Sequence, residues 1–520
     1  MSASREKKLR QDQTASGHVD PKAEKDLKKK KAEKRSDLLY RFIAVLFVLV
    51  VAASVVWRSN IIARGATALT IDGETYNAAE VSFYYQNVYR GFLQSNSYFI
   101  SYLGLDTNAA LKNQTVNSTA ASMLGVEEGS SWHDYLMDST VKQMTTIQRG
   151  LKQAQEEGYQ FPASVQAQYE DSMSSLETTA KSTGLSVKAY LQRNLGAIMT
   201  EKIYGQQVLR MLQYEAYAQS YSDSLTYTDA ELEAAYQADP KTYDKVSWEY
   251  AVISGSVAPT TDADGNTIAA TEEEQAAAME AAKADAEKIL AACSSGASLE
   301  SAAADFETAA YYNDDSAVYS DGVAGSWLFD DARKNGDTEI LEVGSSYYVA
   351  LFHSRGREEY KTVDVRHILI KPESGAKAQG DEGYEDEQAQ LKADAHAKAE
   401  EILAQWKAGE ATEDSFAQLA MENSADGSKY DGGLYTRVTK GWAVEEFNDW
   451  CFDASRKDGD TGVVDTTYGS HVMYFVGQDL PAWAASVATD LQEKAASEWS
   501  SSLSENADVQ QSGFGMKFVG

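Results

Sequence analysis

The feature that most constrains this fold is an internal repeat. Trp327–Thr338 reads WLFDDARKNGDT and Trp450–Thr461 reads WCFDASRKDGDT, identical at eight of twelve positions without a gap. Upstream, AEKIL at Ala286–Leu290 matches AEEIL at Ala399–Leu403, and VSWEYAVIS from Val246 aligns with VDVRHILIK from Val363. Two copies of one unit, over residues 246–360 and 361–480, must therefore share a core design. The opening segments alternate and are rich in β-branched residues, which marks half-buried strands. Each copy reads strand, helix, variable middle, helix, strand.

The copies differ where chemistry could sit. The chain has six histidines. His367 lies mid-strand in VDVRHILIK, and His471 lies mid-strand in TTYGSHVMYFV at 466–476. A lone histidine in a strand is most often a satisfied structural residue. Here, however, both are replaced together in the first copy. Tyr250 stands at the position of His367. With one residue deleted from the closing segment, Tyr347 stands at the position of His471. The interval from Leu290 to Trp327 is 37 residues, against 47 from Leu403 to Trp450, and the extra material overlaps Asp426–Phe447. The histidine pair and the middle loop are present or absent as a set. This points to one site in the second copy and a scaffold role for the first.

The remaining chain sets the context. Residues 1–41 hold 13 Lys/Arg against 7 Asp/Glu (+6), so the remainder carries 34 against 72 (−38). A body this acidic repels phosphate backbones, which excludes nucleic acid as a partner. Residues 1–37 read as a basic, cytoplasmic tail. Leu38–Trp57 counts twenty residues, about 30 Å of helix, with Phe42–Trp57 free of charge between Arg41 and Arg58. The positive flank predicts a single-pass anchor over 38–58 with the N-terminus in the cytoplasm and the body outside the cell membrane. An uncleaved anchor is favoured over a signal peptide because the basic region before it is long. Residues 69–240 then read as a mostly helical domain. A strand pair turns at Asp72-Gly73, and helices follow from Asn77, over Ser131–Gly158, from Pro162 to Gly184 and over Ser186–Tyr221. After Pro481, a helix over 482–505 and a strand over 513–519 are expected to complete that domain. No CxxC and no Cys/His cluster with zinc spacing occurs, so no metal site is expected.

The second copy resembles a parvulin-type peptidyl-prolyl cis-trans isomerase domain. Parvulin domains open with an RHIL-type strand, here Arg366–Leu369. A helix follows (389–408), then a segment like FAQLAMENS at Phe416–Ser424, a glycine-rich turn with a leucine (Gly432-Gly433-Leu434), a helix bearing a pocket phenylalanine (Phe447), and a closing T…G.H strand (Thr466, Gly469, His471). The whole chain resembles the extracytoplasmic foldases PrsA and SurA, which combine a helical chaperone domain with parvulin domains. The resemblance implies an α+β multidomain fold: a transmembrane helix, a helical chaperone domain (69–240 completed by 482–520), a degenerate parvulin-like domain (246–360) and a parvulin domain (361–480). It implies a catalytic set of His367, His471, Asp426 and Thr466. It implies a proline pocket lined by Leu434 and Phe447, with an apolar neighbour at Trp442 or Ala443. It implies no cofactor. The partners implied are unfolded or partly folded exported polypeptides with X-Pro bonds, with association of two copies left open. The alternative is a non-catalytic holdase in which both repeats are scaffold.

Overall fold

The structure, a computed structural model, describes residues 3–15, 21–58, 60–262 and 265–520. The chain divides into two compact units. One comprises Met1–Gln153, Tyr169–Met211 and Leu503–Gly520; the other comprises Ala154–Gln168 and Leu212–Ser502. Residues 69–240 and 482–520, expected to build one domain together, are divided between the two.

In the first unit, Thr67–Ile71 and Glu74–Asn77 form a hairpin. Its turn residues Asp72 (φ 48°) and Gly73 (φ 85°) both have positive φ, as a two-residue type I′ turn requires. Val509–Gln511 pairs antiparallel with Thr67–Ile71, so the last strand completes the sheet begun by the first. Arg149 ties these segments together, donating to the Asp72 carboxylate at 2.7 and 3.1 Å and to the carbonyls of Leu503 and Glu505. Asn77 caps the helix Ala78–Ser95 through a capping box with Glu80.

Two expectations are corrected in this region. The helix expected over Ser186–Tyr221 is two helices, Val187–Leu195 and Glu201–Ser224. Gly196 caps the first at φ 95° and turns the chain out of helical geometry. The strand expected over 513–519 is a 3-10 turn, Gly515–Phe518. A Cβ on Gly515 would lie 2.0 Å from the Thr67 carbonyl oxygen, so close backbone packing takes the place of ladder pairing.

Pro21–Arg58 is one helix, and every described side chain from Arg41 to Val56 is exposed. Among the described residues no helix is long and apolar enough to cross a membrane. The span counted from Leu38 to Trp57 includes side chains, Leu38–Tyr40 and Trp57, that lie outside the described residues.

The second unit contains both repeats. The first consists of β1 (Lys245–Ser254), α1 (Glu272–Ser294), α2 (Leu299–Ala304), β2 (Ala309–Ala317), α3 (Val323–Leu328), β3 (Thr338–Val343) and β4 (Ser346–Gly356). The second consists of β5 (Lys361–Ile370), α4 (Tyr384–Ala408), α5 (Glu413–Asn423), β6 (Leu434–Val438), α6 (Glu445–Phe452), β7 (Thr461–Thr466) and β8 (Gly469–Pro481). The sheets are antiparallel with matching orders, β2-β1-β4-β3 and β6-β5-β8-β7. Both repeats thus contain a middle strand, β2 or β6, and a closing hairpin beyond the five-part sequence reading.

The closing hairpins also correct the alignment. Leu341 pairs with Tyr348 in the first repeat, as Val464 pairs with His471 in the second. The segment from Trp327 to Phe352 therefore lies on Trp450 to Phe475 with no deletion, and Tyr348, rather than Tyr347, stands where His471 stands. Each sheet buries one face against the first two helices of its repeat. Ala251 and Ile253 pack on α1 and α2, and Ile368 and Val472 pack on α4 and α5. Between Pro481 and the terminal segment, Ala482–Ser504 is a helix whose Trp483, Ala484 and Val487 pack on Leu232 and Tyr236 of the helix Asp229–Ala238.

Gly433 shows how tightly β6 is drawn onto β5. It has φ 74°, and a Cβ there would meet the His367 carbonyl oxygen at 2.2 Å. Gly433→Ala is therefore expected to lower the unfolding free energy by about 2 kcal/mol or more. Gly427→Ala, where a Cβ meets nothing within 4 Å, is expected to change it by less than about 0.5 kcal/mol. Denaturant titration of the two variants checks this, and equal effects would refute the close-approach account.

Candidate active site

Side-chain parity along β5 assigns the two faces of the second sheet. Val363, Val365, His367 and Leu369 lie on one face, and Arg366, Ile368 and Ile370 on the other. His367 is opposite Met473 and Leu369 is opposite His471, so the two histidines are diagonal neighbours on adjacent strands of one face. Their Nδ1 atoms are 3.0 Å apart and their rings stack with centroids 5.2 Å apart. Both are buried, at 2 % and 6 % exposure.

A hydrogen-bonded chain runs through the pair. At one end the Thr466 Oγ1 lies 2.9 Å from His471 Nε2 and accepts from the Tyr468 backbone N–H at 3.1 Å. At the other end His367 Nε2 lies 3.2 Å from Ser428 Oγ and 3.3 Å from Asp426 Oδ1. Asp426 Oδ1 also accepts from the Ser428 hydroxyl (2.6 Å), the Ser428 N–H (2.9 Å) and the Tyr435 hydroxyl (2.8 Å). These contacts hold the Asp426 carboxyl far below the usual carboxylate range, the bond from His367 contributing most against the opposing cost of burial.

An ionised Asp426 fixes the direction of the chain. A lone pair on His367 Nε2 would face the carboxylate, so the proton sits there. His367 Nδ1 then accepts from His471 Nδ1–H, and His471 Nε2 accepts from the Thr466 hydroxyl. In this arrangement every donor meets an acceptor. Burial, and then the neighbouring His367, depress His471 to about 4.

Above the histidines is a cavity of about 460 Å³ lined by His367, His471, Asp426, Tyr435, Trp442, Ala443, Val444, Phe447 and Tyr468, with Leu369 and Lys371 at its edge. Phe447 meets both imidazoles edge-on, with centroids 5.5 and 5.4 Å away. Of the residues singled out from sequence, His367, His471, Asp426, Trp442, Ala443 and Phe447 line this cavity, and Thr466 supports it from beneath. Leu434 does not. It pairs with Arg366 and so lies on the opposite face, whereas Tyr435 pairs with Val365 and stacks on His367 at 5.1 Å. Ser428, Val444 and Tyr468 were not singled out, and Tyr435, which follows the glycine pair directly, was not assigned to the pocket. The period-2 rule applied from Gly433, whose carbonyl accepts from the His367 N–H, would have selected Tyr435. Among the described residues no cluster of three or more His, Cys, Asp or Glu could hold a metal ion.

Residues 349–478, about a quarter of the chain, match the family model of the PPIC-type PPIASE domain. The second repeat is thus a PPIC-type, or parvulin-type, peptidyl-prolyl isomerase domain. Solved structures similar to the chain include PrsA from Bacillus anthracis, described as a peptidylprolyl isomerase (20% identity, 28% of this chain and 58% of that one, TM-score 0.18). They also include the PPIase domain of TbPar42 (29% identity, 22% and 98%, TM-score 0.17) and PrsA from Bacillus subtilis (12%, 72% and 88%, TM-score 0.27). The chain spans little more than half the length of the first of these. At such TM-scores the structural likenesses carry no weight, and the assignment rests on the family model. None of the curated proteins matches the chain.

Because folding favours neutral His471, the stability it contributes is complete above its ordinary 6.5 and is lost as pH falls towards about 4. Asp426 acts in the same direction at lower pH. The His471 ring, followed by NMR, is expected to titrate near pH 4. A midpoint of about 6 or above would contradict a buried, neutral His471.

Proposed function

We propose that this protein is a membrane-anchored peptidyl-prolyl isomerase and chaperone that assists exported polypeptides to fold outside the cytoplasmic membrane. The observation that carries the catalytic part is the buried, hydrogen-bonded histidine pair forming the polar floor of an aromatic cavity. The X–Pro barrier of about 18–20 kcal/mol comes from C–N resonance, and the uncatalysed step is slow enough to limit folding. The planar amide is more dipolar than the twisted one. A dry pocket of Phe447, Trp442, Ala443 and Val444 that grips the proline ring therefore favours the twisted state. The aligned chain from Thr466 to Asp426 presents fixed dipoles beneath the reacting amide. No nucleophile, metal or cofactor takes part in this chemistry.

The extracytoplasmic reading rests on the sequence: a basic N-terminal flank, the charge-free run Phe42–Trp57, and an acidic body. The exposed apolar side chains along Phe42–Val56 accord with it. The chaperone reading rests on the resemblance to foldases and on the tyrosine-rich composition, 30 residues in all. A holdase without catalysis is the second reading. It is favoured by Tyr435, whose ring lies over His367 and narrows access to it.

In the full chain, isomerisation of a proline tetrapeptide is expected above background. His471→Ala should lower kcat/KM about tenfold or more by cutting the polar chain. Phe447→Ala should act mainly on KM, by about tenfold, through lost apolar contact. A wild-type chain with no catalysis, but with client aggregation still suppressed by the His367→Ala/His471→Ala double variant, would establish the holdase instead.

A further inference from the structure

Thr466 ends the donor chain of the second repeat, and it stands on an edge strand. In the order β6-β5-β8-β7, β7 is bonded on one side only. The Thr466 hydroxyl has two acceptors within reach, His471 Nε2 at 2.9 Å and the Gly469 carbonyl at 3.4 Å. Its one proton serves a single good bond. Gly469 is fixed against β5: at φ 141°, a Cβ there would meet the Ile370 carbonyl oxygen at 2.4 Å. Which acceptor Thr466 takes therefore depends on where the end of β7 lies.

Asp465 fixes that end. It is the ladder partner of Ser470, on the sheet face opposite His471. Its Oδ1 accepts from the Ser470 hydroxyl at 2.6 Å, and His396 Nδ1 on α4 donates to the carboxylate at 2.9 and 3.0 Å. Burial opposes the charge, but these two donors hold the Asp465 carboxyl below its ordinary value, and the same bond raises His396. Packing does not replace this tie. A cavity of about 380 Å³ opens between α4 and the end of the hairpin, lined by Lys392 and His396 from one and by Asp465, Thr467 and Ser470 from the other. The first repeat supplies the comparison. Glu342 stands at the position of Asp465 and Tyr347 at that of Ser470, and the Tyr347 hydroxyl donates to Glu342 at 3.0 Å. The AEKIL alignment places Lys283 at the position of His396, and among the described residues no hydrogen bond joins it to Glu342. Val343 stands at the position of Thr466. The tie to the helix is thus present in the copy that has a hydroxyl to aim and absent from the copy that has none.

We infer that Asp465, held by His396 and Ser470, is a positioning residue for the isomerase centre. It sets the end of β7 so that the Thr466 hydroxyl donates to His471 Nε2 and not to the Gly469 carbonyl. Loss of the carboxylate frees the edge strand, the proton turns to Gly469, and His471 Nε2 is left buried without a donor. The chain of dipoles beneath the amide is then broken at its last link. The side chains of the pair are partly exposed, 43 % for His396 and 61 % for Asp465. An exposed ion pair adds little to stability, so the effect falls on the site rather than on folding. The effect on rate rests on the proposed catalytic reading, whereas the effect on the His471 imidazole does not.

The test uses the full chain. Asp465→Ala and His396→Ala are each expected to lower kcat for a proline tetrapeptide about fivefold, with KM within about twofold. The NMR resonance of His471 Nε2 should move in both. Asp465→Asn, which keeps an oxygen acceptor for Ser470 and His396, should restore most of the rate. In a Thr466→Val background, Asp465→Ala should cost nothing further, since the donor it aims is gone. Tyr347→Phe cuts the counterpart bond in the first repeat and should leave isomerisation unchanged. Wild-type kcat in both alanine variants would overturn the inference. So would an additive loss in the Thr466→Val background, or an equal loss in Tyr347→Phe. A fall in rate with the His471 resonance unmoved would also overturn it, because the tie would then be merely structural. A wild-type chain without isomerisation, whose His471 resonance still moves in Asp465→Ala, would sink the catalytic reading and leave this one standing.

Discussion

The carboxylate of Asp426 is the group on which the site depends. It is half-buried, and it remains ionised because four donors converge on one of its oxygens: the Ser428 N–H and hydroxyl, the Tyr435 hydroxyl and His367 Nε2–H. With its charge fixed, one direction of hydrogen bonding satisfies every group out to Thr466. Two adjacent buried imidazoles would otherwise have interchangeable tautomers and a shared proton. Anchoring one end removes that freedom and leaves an oriented floor.

That arrangement is expensive in backbone terms, and the surrounding loop is built to hold it. The Ser424 hydroxyl accepts from the Leu369 N–H, and the Ala425 N–H donates back to the Leu369 carbonyl, pinning the loop to β5. Gly433 lets β6 approach until its carbonyl takes the His367 N–H. Further along β6, a register shift between Tyr435 and Val438 accommodates Arg437 at φ 52°, whose backbone N–H donates to the Asp364 carboxylate. The aromatic wall is therefore set by irregular backbone on one side and by the helix α6, through Phe447, on the other.

The two repeats show what happens to such a face when the charge is withdrawn. The first keeps the strand order and the helix-covered side but has neither Asp426 nor the loop that carries it. Histidines there would lack an anchor. Tyrosines at the same two positions stack instead, and they need no proton order. One framework thus supports a polar-floored cavity in one copy and a stack of aromatic rings in the other.

Much of this was legible in the chain. The repeat is written in identical residues, and the strands follow from alternation. The histidine pair is visible because both members are absent together from the other copy. The cap at Asn77 and the turn at Asp72-Gly73 are local matters that local residues decide. What was not legible depends on register and close approach. Whether Leu434 or Tyr435 faces the histidines is settled by which residue of β6 meets Val365, and a one-residue shift reverses every side chain. Tyr348 was missed for the same reason, since an assumed deletion moved the hairpin by one. The break at Gly196 and the turn at Gly515 depend on backbone from distant parts of the chain. The sequence by itself determined the two-copy architecture and named the imidazoles. Only the tertiary structure decided which proton each imidazole holds and which aromatic ring lies over it, because those are properties of distances between strands and not of the order of residues along one.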